Sequence, residues 1–204
     1  MRVRQRFEHS SVRLLSFGST CEFESPDAAV RNQQIALAKQ FIDLAHDTGA
    51  LAVKVRPNGI PQNATLEATV RTIGNSLHEV GDAGQARQIE IWLEVHGHTT
   101  QDPPVAAAIM KATDHRNVGL CWNSNPTDVV NGSVKSSFEL LRPWLRNAHI
   151  NELASDYPWR ELFTLMRTSN YTRYTLCEAG ESKEPERFLR YYKALWTELA
   201  RPAS

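Results

Sequence analysis

Apolar positions along this chain alternate between two spacings. Six short runs, VRLLSF (12–17), LAVKV (51–55), IEIWLEV (89–95), VGLCW (118–122), AHIN (148–151) and YTLCE (174–178), read as β-strands. Each gap between them carries helical spacing. After the first strand comes a helix opened by Ser25 and Pro26 and stopped at Gly49, with Ile35, Ala38, Ile42 and Ala45 as its buried stripe. A second helix, from about Thr65 to Val80, places Leu66, Val70, Ile73 and Leu77 on one face and stops at Gly81. DPPVAAAIMKATDH, VKSSFELLRPWL (broken near Pro143) and PWRELFTLMRTS (behind Asp156) follow. PERFLRYYKALWTELA closes the chain with Phe188, Tyr192, Leu195 and Leu199 aligned. RVRQRFEHS reads as the last turns of a helix leading into the first strand, and GDAGQARQ (81–88) as a connecting loop.

Strict alternation with crossovers this long requires parallel strands covered by helices, an α/β protein of about six βα units. The two architectures are a doubly wound sheet and a (β/α)8 barrel, and the Gly-rich phosphate fingerprint of the first is absent. With no linker or low-complexity stretch, residues 1–204 are expected to form a single domain.

Composition narrows the function. Lys plus Arg equals Asp plus Glu at 23 each, so no basic field argues for nucleic acid or an anionic membrane. No run has the roughly 18 apolar residues of a membrane helix. The N-terminus has basic residues without an apolar signal core, so a cytoplasmic protein is expected. Cys21, Cys121 and Cys177 are widely spaced and read as reduced core residues. Small-molecule chemistry remains.

IEIWLEVHGH shows where that chemistry gathers. Ile89, Ile91, Leu93 and Val95 share one strand face, while Trp92, Glu94 and His96 share the other. Polar residues recur at the C-terminal ends of four successive strands: Glu94 and His96, Asn123 and Asn125, His149 with Asn151 and Glu152, then Glu178 with Glu181. In a parallel barrel those ends open on one rim, and carboxylates with an imidazole suit Mn, Mg, Co or Zn. Each residue alone has an ordinary reading. A strand-end Glu caps or pairs, His149 fits a core histidine, and Asn123 and Asn125 in NSNPTD are turn residues before Pro126. Glu181 reads as a solvated loop charge, and His9, His46, His78, His98 and His115 need no function. Arg56 stands at a rim position where it could meet an anionic group or form a surface ion pair. Recurrence at the same strand end is what joins the candidates.

FIDLAHDTGALAVKV, IWLEVHGHTT, VGLCWNSNP, LRNAHINEL and YTLCEAGE followed by RFLRYYKALW resemble the xylose-isomerase-like TIM-barrel superfamily over nearly the whole chain. That group contains sugar isomerases, epimerases and family 2 AP endonucleases. The resemblance implies one divalent metal ion held by Glu94, Asn123, His149 and Glu178, with His96, Arg56, Asn125 and Asn151 toward a small carbohydrate substrate. It also implies that Glu94 and Glu178 are the acid/base pair of an isomerase or epimerase working through an enediolate.

Two features depart from the family pattern. Asn123 stands where an Asp is usual, which removes a negative charge and predicts weak metal binding. VRLLSFGST matches the family's third strand, so the chain reads as a barrel lacking its first two βα units, with exposed edges that favour a homo-oligomer. These departures support the alternative of an impaired homologue with a binding or structural role. An AP endonuclease reading is opposed by too few rim histidines and the balanced charge.

Overall fold

The computed structural model of the protein describes residues 2–202. Helix α1 (Arg2–Glu8) precedes six βα units. They comprise β1 (Ser16–Gly18), α2 (Ala28–Thr48), β2 (Ala52–Val55), α3 (Leu66–Ala86), β3 (Glu90–Glu94) and α4 (Pro103–Thr113). Next come β4 (Val118–Asn123), α5 (Lys135–Leu141), β5 (Leu145–Ile150), α6 (Trp159–Thr168), β6 (Tyr174–Cys177) and α7 (Pro185–Ala200). The six strands lie in sequence order, every neighbouring pair parallel, and curl into an incomplete α/β barrel with the helices outside. Parallel order follows from the crossovers: each helix returns the chain to the same end of the sheet.

Alternation along each strand divides the apolar residues between two compartments. Val53, Val55, Ile91, Leu93, Leu120, Trp122, Ala148 and Ile150 belong to the main core between sheet and helices. Ala52, Trp92 and Cys121 form a separate cluster, with Leu15 packed against it, on the concave face. The next inward position on each strand is polar: Lys54, Glu94 and Asn123. A β-bulge between Leu120 and Cys121 on the β4–β5 pairing skips one residue of β5 and sets His149 directly opposite Asn123.

Below the Trp92 layer the concave face is closed by ions. Glu90 accepts hydrogen bonds from Trp92 Nε1 at 2.7 Å and from Arg173 Nη1 at 3.2 Å, and Arg173 Nη2 also pairs with this carboxylate. The guanidinium lies 5.9 Å from the centre of the Trp92 ring, a cation–π distance. Arg13, just before β1, donates to the Tyr174 hydroxyl of β6 at 2.6 Å. One end of the sheet is thus drawn toward the other, although β1 and β6 share no ladder and remain edges.

Several boundaries differ from the sequence expectations. Asp27, not Ser25, caps α2, its carboxylate accepting from Ala29 N. Helix α3 does not stop at Gly81: it continues to Ala86, so most of the stretch read as a loop is helical. Gly81 and Gly84 are there because a Cβ would lie 2.8 Å from Val118 Cγ2 and 2.5 Å from the Ile89 carbonyl. They admit close packing onto the sheet and do not break the helix. Leu66 is exposed at the start of α3, and on α7 Leu195 is exposed while Trp196 packs toward the core. Cys177 is also exposed, since β6 is an edge strand, whereas Cys21 and Cys121 are buried; all three are free thiols.

The turns behind the rim are fixed by one buried carboxylate. Asp128, in the short 3-10 turn Pro126–Asp128, accepts from Asn125 N at 2.8 Å and from Tyr157 OH at 2.9 Å, and Trp122 Nε1 donates to the same hydroxyl at 3.2 Å. This ties the loop after β4 to the loop after β5.

Two outcomes are expected. Glu90→Ala leaves Trp92 Nε1 without its acceptor and Arg173 without its partner, and should lower the unfolding free energy by about 2 kcal/mol in urea titrations. Burial pushes Asp128 up to about 7, against the two hydrogen bonds that hold it down. The folded chain therefore binds a proton there that the unfolded chain has released. Its contribution to stability falls as pH rises from about 4 to about 7. Comparing thermal unfolding of the parent and Asp128→Asn across that range checks this: the difference in midpoint between them should shift toward the variant as pH rises.

Candidate functional site

Because all six strands run the same way, their C-terminal ends meet at one rim, and the inward side chain nearest each end faces a common space. That space is a cavity of about 430 Å³ lined by Lys54, Arg56, Glu94, His96, Asn123, Asn151, Glu152, Glu178, Ala179 and Gly180. Strands β2, β3 and β4 each contribute to its wall or floor, the loop after β5 supplies Asn151 and Glu152, and the loop after β6 supplies Glu178. A larger surface groove of about 600 Å³ at the start of α7, lined by Glu184, Arg187, Arg190 and Tyr191, contains none of these donors.

At its floor Glu94 is only 4% exposed. A carboxylate this buried needs compensation, and it has two partners. Lys54 Nζ donates to Oε2 at 2.6 Å, and His149 Nδ1 lies 3.4 Å from Oε1. The same His149 nitrogen is 3.1 Å from Glu178 Oε1. Burial alone would raise Glu94, but the neighbouring His149 and the hydrogen bond and charge of Lys54 outweigh it and hold the carboxyl down at about 2. For His149, burial acts to lower the value; Cys121, Glu178 and Glu94 outweigh it and push the imidazole up to about 12. The two carboxylates beside it thus favour the protonated form of the imidazole.

The donor set fits a divalent metal. One ligand atom from each of Glu94, His149 and Glu178 lies within 4.8 Å of the others. His149 Nδ1, despite its two carboxylate neighbours, makes no well-aligned hydrogen bond, and Asn123 Oδ1 is buried without a partner. Oxygen and imidazole donors converging in this way, two of them unsatisfied, are what a bound cation would complete.

The sequence candidates separate into two groups. Glu94, Asn123, His149 and Glu178 come together at the floor, and His96, Arg56 and Asn151 join the wall. His96 Nδ1 and Asn151 Oδ1 are both buried without partners, as groups reserved for a ligand would be. Arg56 reaches the cavity but is paired with Glu22 at 3.0 Å. Asn125 is not in the wall. Its amide donates to the Val95 carbonyl at 2.7 Å and its backbone N–H to Asp128, so it serves the turn before Pro126, the ordinary role of such a residue. Glu181 is exposed and outside the cavity. His78, within α3, and His115, just after α4, pack with their rings at right angles, centroids 5.1 Å apart, and neither lines the cavity.

Sequence reading overlooked Lys54; Glu152, placed at the rim without a role, lines the cavity. The signal for Lys54 was present in LAVKV, where one lysine interrupts an otherwise apolar strand on the same face as Arg56. A charge in the middle of a strand with both faces buried needs a partner across the sheet.

No curated protein matches the chain in sequence. Among solved structures, 3-keto-D-glucoside 4-epimerase, YcjR, from E. coli is 12% identical with a TM-score of 0.83, over 96% of this chain and 82% of its own. D-psicose 3-epimerase from Clostridium cellulolyticum H10, solved with D-tagatose, is 14% identical with a TM-score of 0.77, over 92% and 78%. The IOLI protein with a binding zinc atom is 15% identical with a TM-score of 0.81, over 98% and 80%. At these identities the likeness is one of fold. The family model described as xylose isomerase-like TIM barrel matches residues 1–195, and with this coverage the chain belongs to that family.

Proposed function

We propose that the protein is a metal-dependent sugar or sugar-phosphate isomerase or epimerase-like enzyme. The observation that carries this reading is the convergence of Glu94, His149 and Glu178 on one point beside the unpartnered Asn123 oxygen, at the rim of a family barrel. Two structural neighbours are epimerases of small carbohydrates, and a third binds zinc. The cavity wall is polar, as a hydroxylated substrate requires.

In this reading Glu94, Asn123, His149 and Glu178 would hold one divalent ion. When bound, such an ion polarises a substrate oxygen and favours the enediolate form. The chain's own residues do the rest. Glu94 on β3 and Glu178 just after β6 face the same cavity, so a substrate bound there would have a carboxylate from each. One removes the proton from the carbon next to the carbonyl, and the other returns a proton elsewhere. Glu178, with its side chain 48% exposed, exchanges protons with solvent more readily than the buried Glu94. His96, Asn151 and Arg56 would orient substrate oxygens. We further propose that the chain acts as one domain, is cytoplasmic, and pairs with a second copy along its open barrel edges.

A binding role without turnover is the second reading. It is favoured by Asn123, a neutral donor where a carboxylate would strengthen the site, and by the unpaired edges of β1 and β6.

The two readings separate in solvent exchange. Aldoses, ketoses and their phosphates, incubated in deuterium oxide with Mn, Mg, Co or Zn, should take up deuterium at the carbon beside the carbonyl. Glu178→Gln should slow this by on the order of a hundredfold or more. No exchange with any sugar or metal would leave the binding role. Asn123→Asp should retain metal through desalting better than the parent, as measured by elemental analysis; full occupancy in the parent would overturn the weak-site reading.

A further inference from the structure

The Lys54–Glu94 pair raises a question that the metal reading leaves open, since a cation already occupies part of the first ligand. Lys54 Nζ is 2.6 Å from Glu94 Oε2, with the lysine side chain 15% exposed and the glutamate 5%. This is a deliberate placement by the fold. Lys54 is an inward position of β2, and its stem passes over Gly18 of β1, where even a Cβ would lie 3.7 Å from Lys54 Cε. Strand β3 then sets Glu94 two residues beyond Trp92, the cross-strand partner of Lys54. The ammonium is thereby directed up toward the rim, at the carboxylate.

We infer that Lys54 competes with the divalent ion for Glu94 and so sets the metal affinity of the site. This rests on the reading of Glu94, Asn123, His149 and Glu178 as metal ligands. An ammonium and a metal ion both draw on the same carboxylate charge, and each repels the other across a few ångströms of low-dielectric space. With a neutral amide at Asn123, the two glutamates supply the only negative charge in the ligand set, and Lys54 neutralises half of it. The ligand set is intact in geometry and deficient in charge. Lys54 is accordingly a positioning and affinity-setting residue: it ligates nothing itself.

The test is a titration of Mn²⁺ into the full-length protein against a chelating indicator, with no turnover involved. Lys54→Met keeps the length of the stem and removes the charge. It should bind Mn²⁺ more tightly than the parent by on the order of tenfold or more, because a full positive charge a few ångströms from the ion has been removed. Lys54→Arg, which keeps the charge, should stay close to the parent and shows that the effect is one of charge if Lys54→Met loses solubility or folds poorly; Lys54→Gln then takes its place. Affinity in the uncharged variants equal to or below that of the parent would overturn the inference. Glu94→Gln and His149→Ala separate this from failure of the metal reading. If those two bind Mn²⁺ as well as the parent, the ion sits elsewhere and both ideas fall. If they lose it while the uncharged Lys54 variants are unchanged, only the competition is wrong.

Discussion

A buried carboxylate dictates the electrostatics of this barrel. Glu94 is too enclosed to be stabilised by water, and an ionised group in such a place must find opposite charge or give up its own. It finds Lys54 on one side and His149 on the other. Those two contacts account for why the carboxyl stays ionised, why the imidazole is held charged, and why Lys54 can sit in the middle of a buried strand. His149 in turn carries Glu178 into the cluster. Four residues from β2, β3, β5 and the loop after β6 are linked through one oxygen pair, so the site is a property of the sheet's register more than of any loop.

That register depends on packing below it. Trp92, Ala52 and Cys121 fill the concave face under the rim, and Glu90 with Arg173 seals it further down. The bulge in the β4–β5 ladder brings His149 level with Asn123; without it the imidazole would be displaced along the rim. The unclosed side is managed by side chains. Arg13 reaches Tyr174 from just before the first strand to the last, a hydrogen bond spanning the gap that strand pairing would fill in a closed barrel. Curvature is therefore enforced by polar contacts inside the sheet as well as by the helices outside it.

Most of this fold was legible in the sequence because the alternation of spacings was strong. Six strands alternate with helices in the order that the apolar pattern predicts, although β1 is Ser16–Gly18 where the pattern gives 12–17 and β5 begins at Leu145, before the expected 148; the stripe Ile35, Ala38, Ile42 and Ala45 is buried in full. What pattern could not settle was decided by contact. Gly81 has the composition of a helix stop, and only the approach of α3 to Val118 and Ile89 shows why glycines continue the helix there. Glu94, Asn123, His149 and Glu178 were legible because strand ends in a parallel sheet must converge. Asn125 shared that signal, yet its amide is consumed by the Val95 carbonyl; two residues beyond Asn123, the same side chain meets backbone instead of the cavity. Lys54 was missed because a single lysine in an apolar run carries no periodic signal, and its partner lies 40 positions away.

Asn123 and Lys54 are best understood together. The cluster contains two carboxylates, Glu94 and Glu178, beside the Lys54 ammonium and the His149 imidazole, whose protonated form they favour. With that proton in place the charges balance. An aspartate at position 123 would add a third carboxylate to a buried floor already supplied with its counter-charges, and its desolvation would have to be met by an ion from outside. The neutral amide removes that demand. The carboxylates of the floor thus have counter-charge within the protein itself, and that counter-charge opposes the entry of a divalent ion, because binding must displace it.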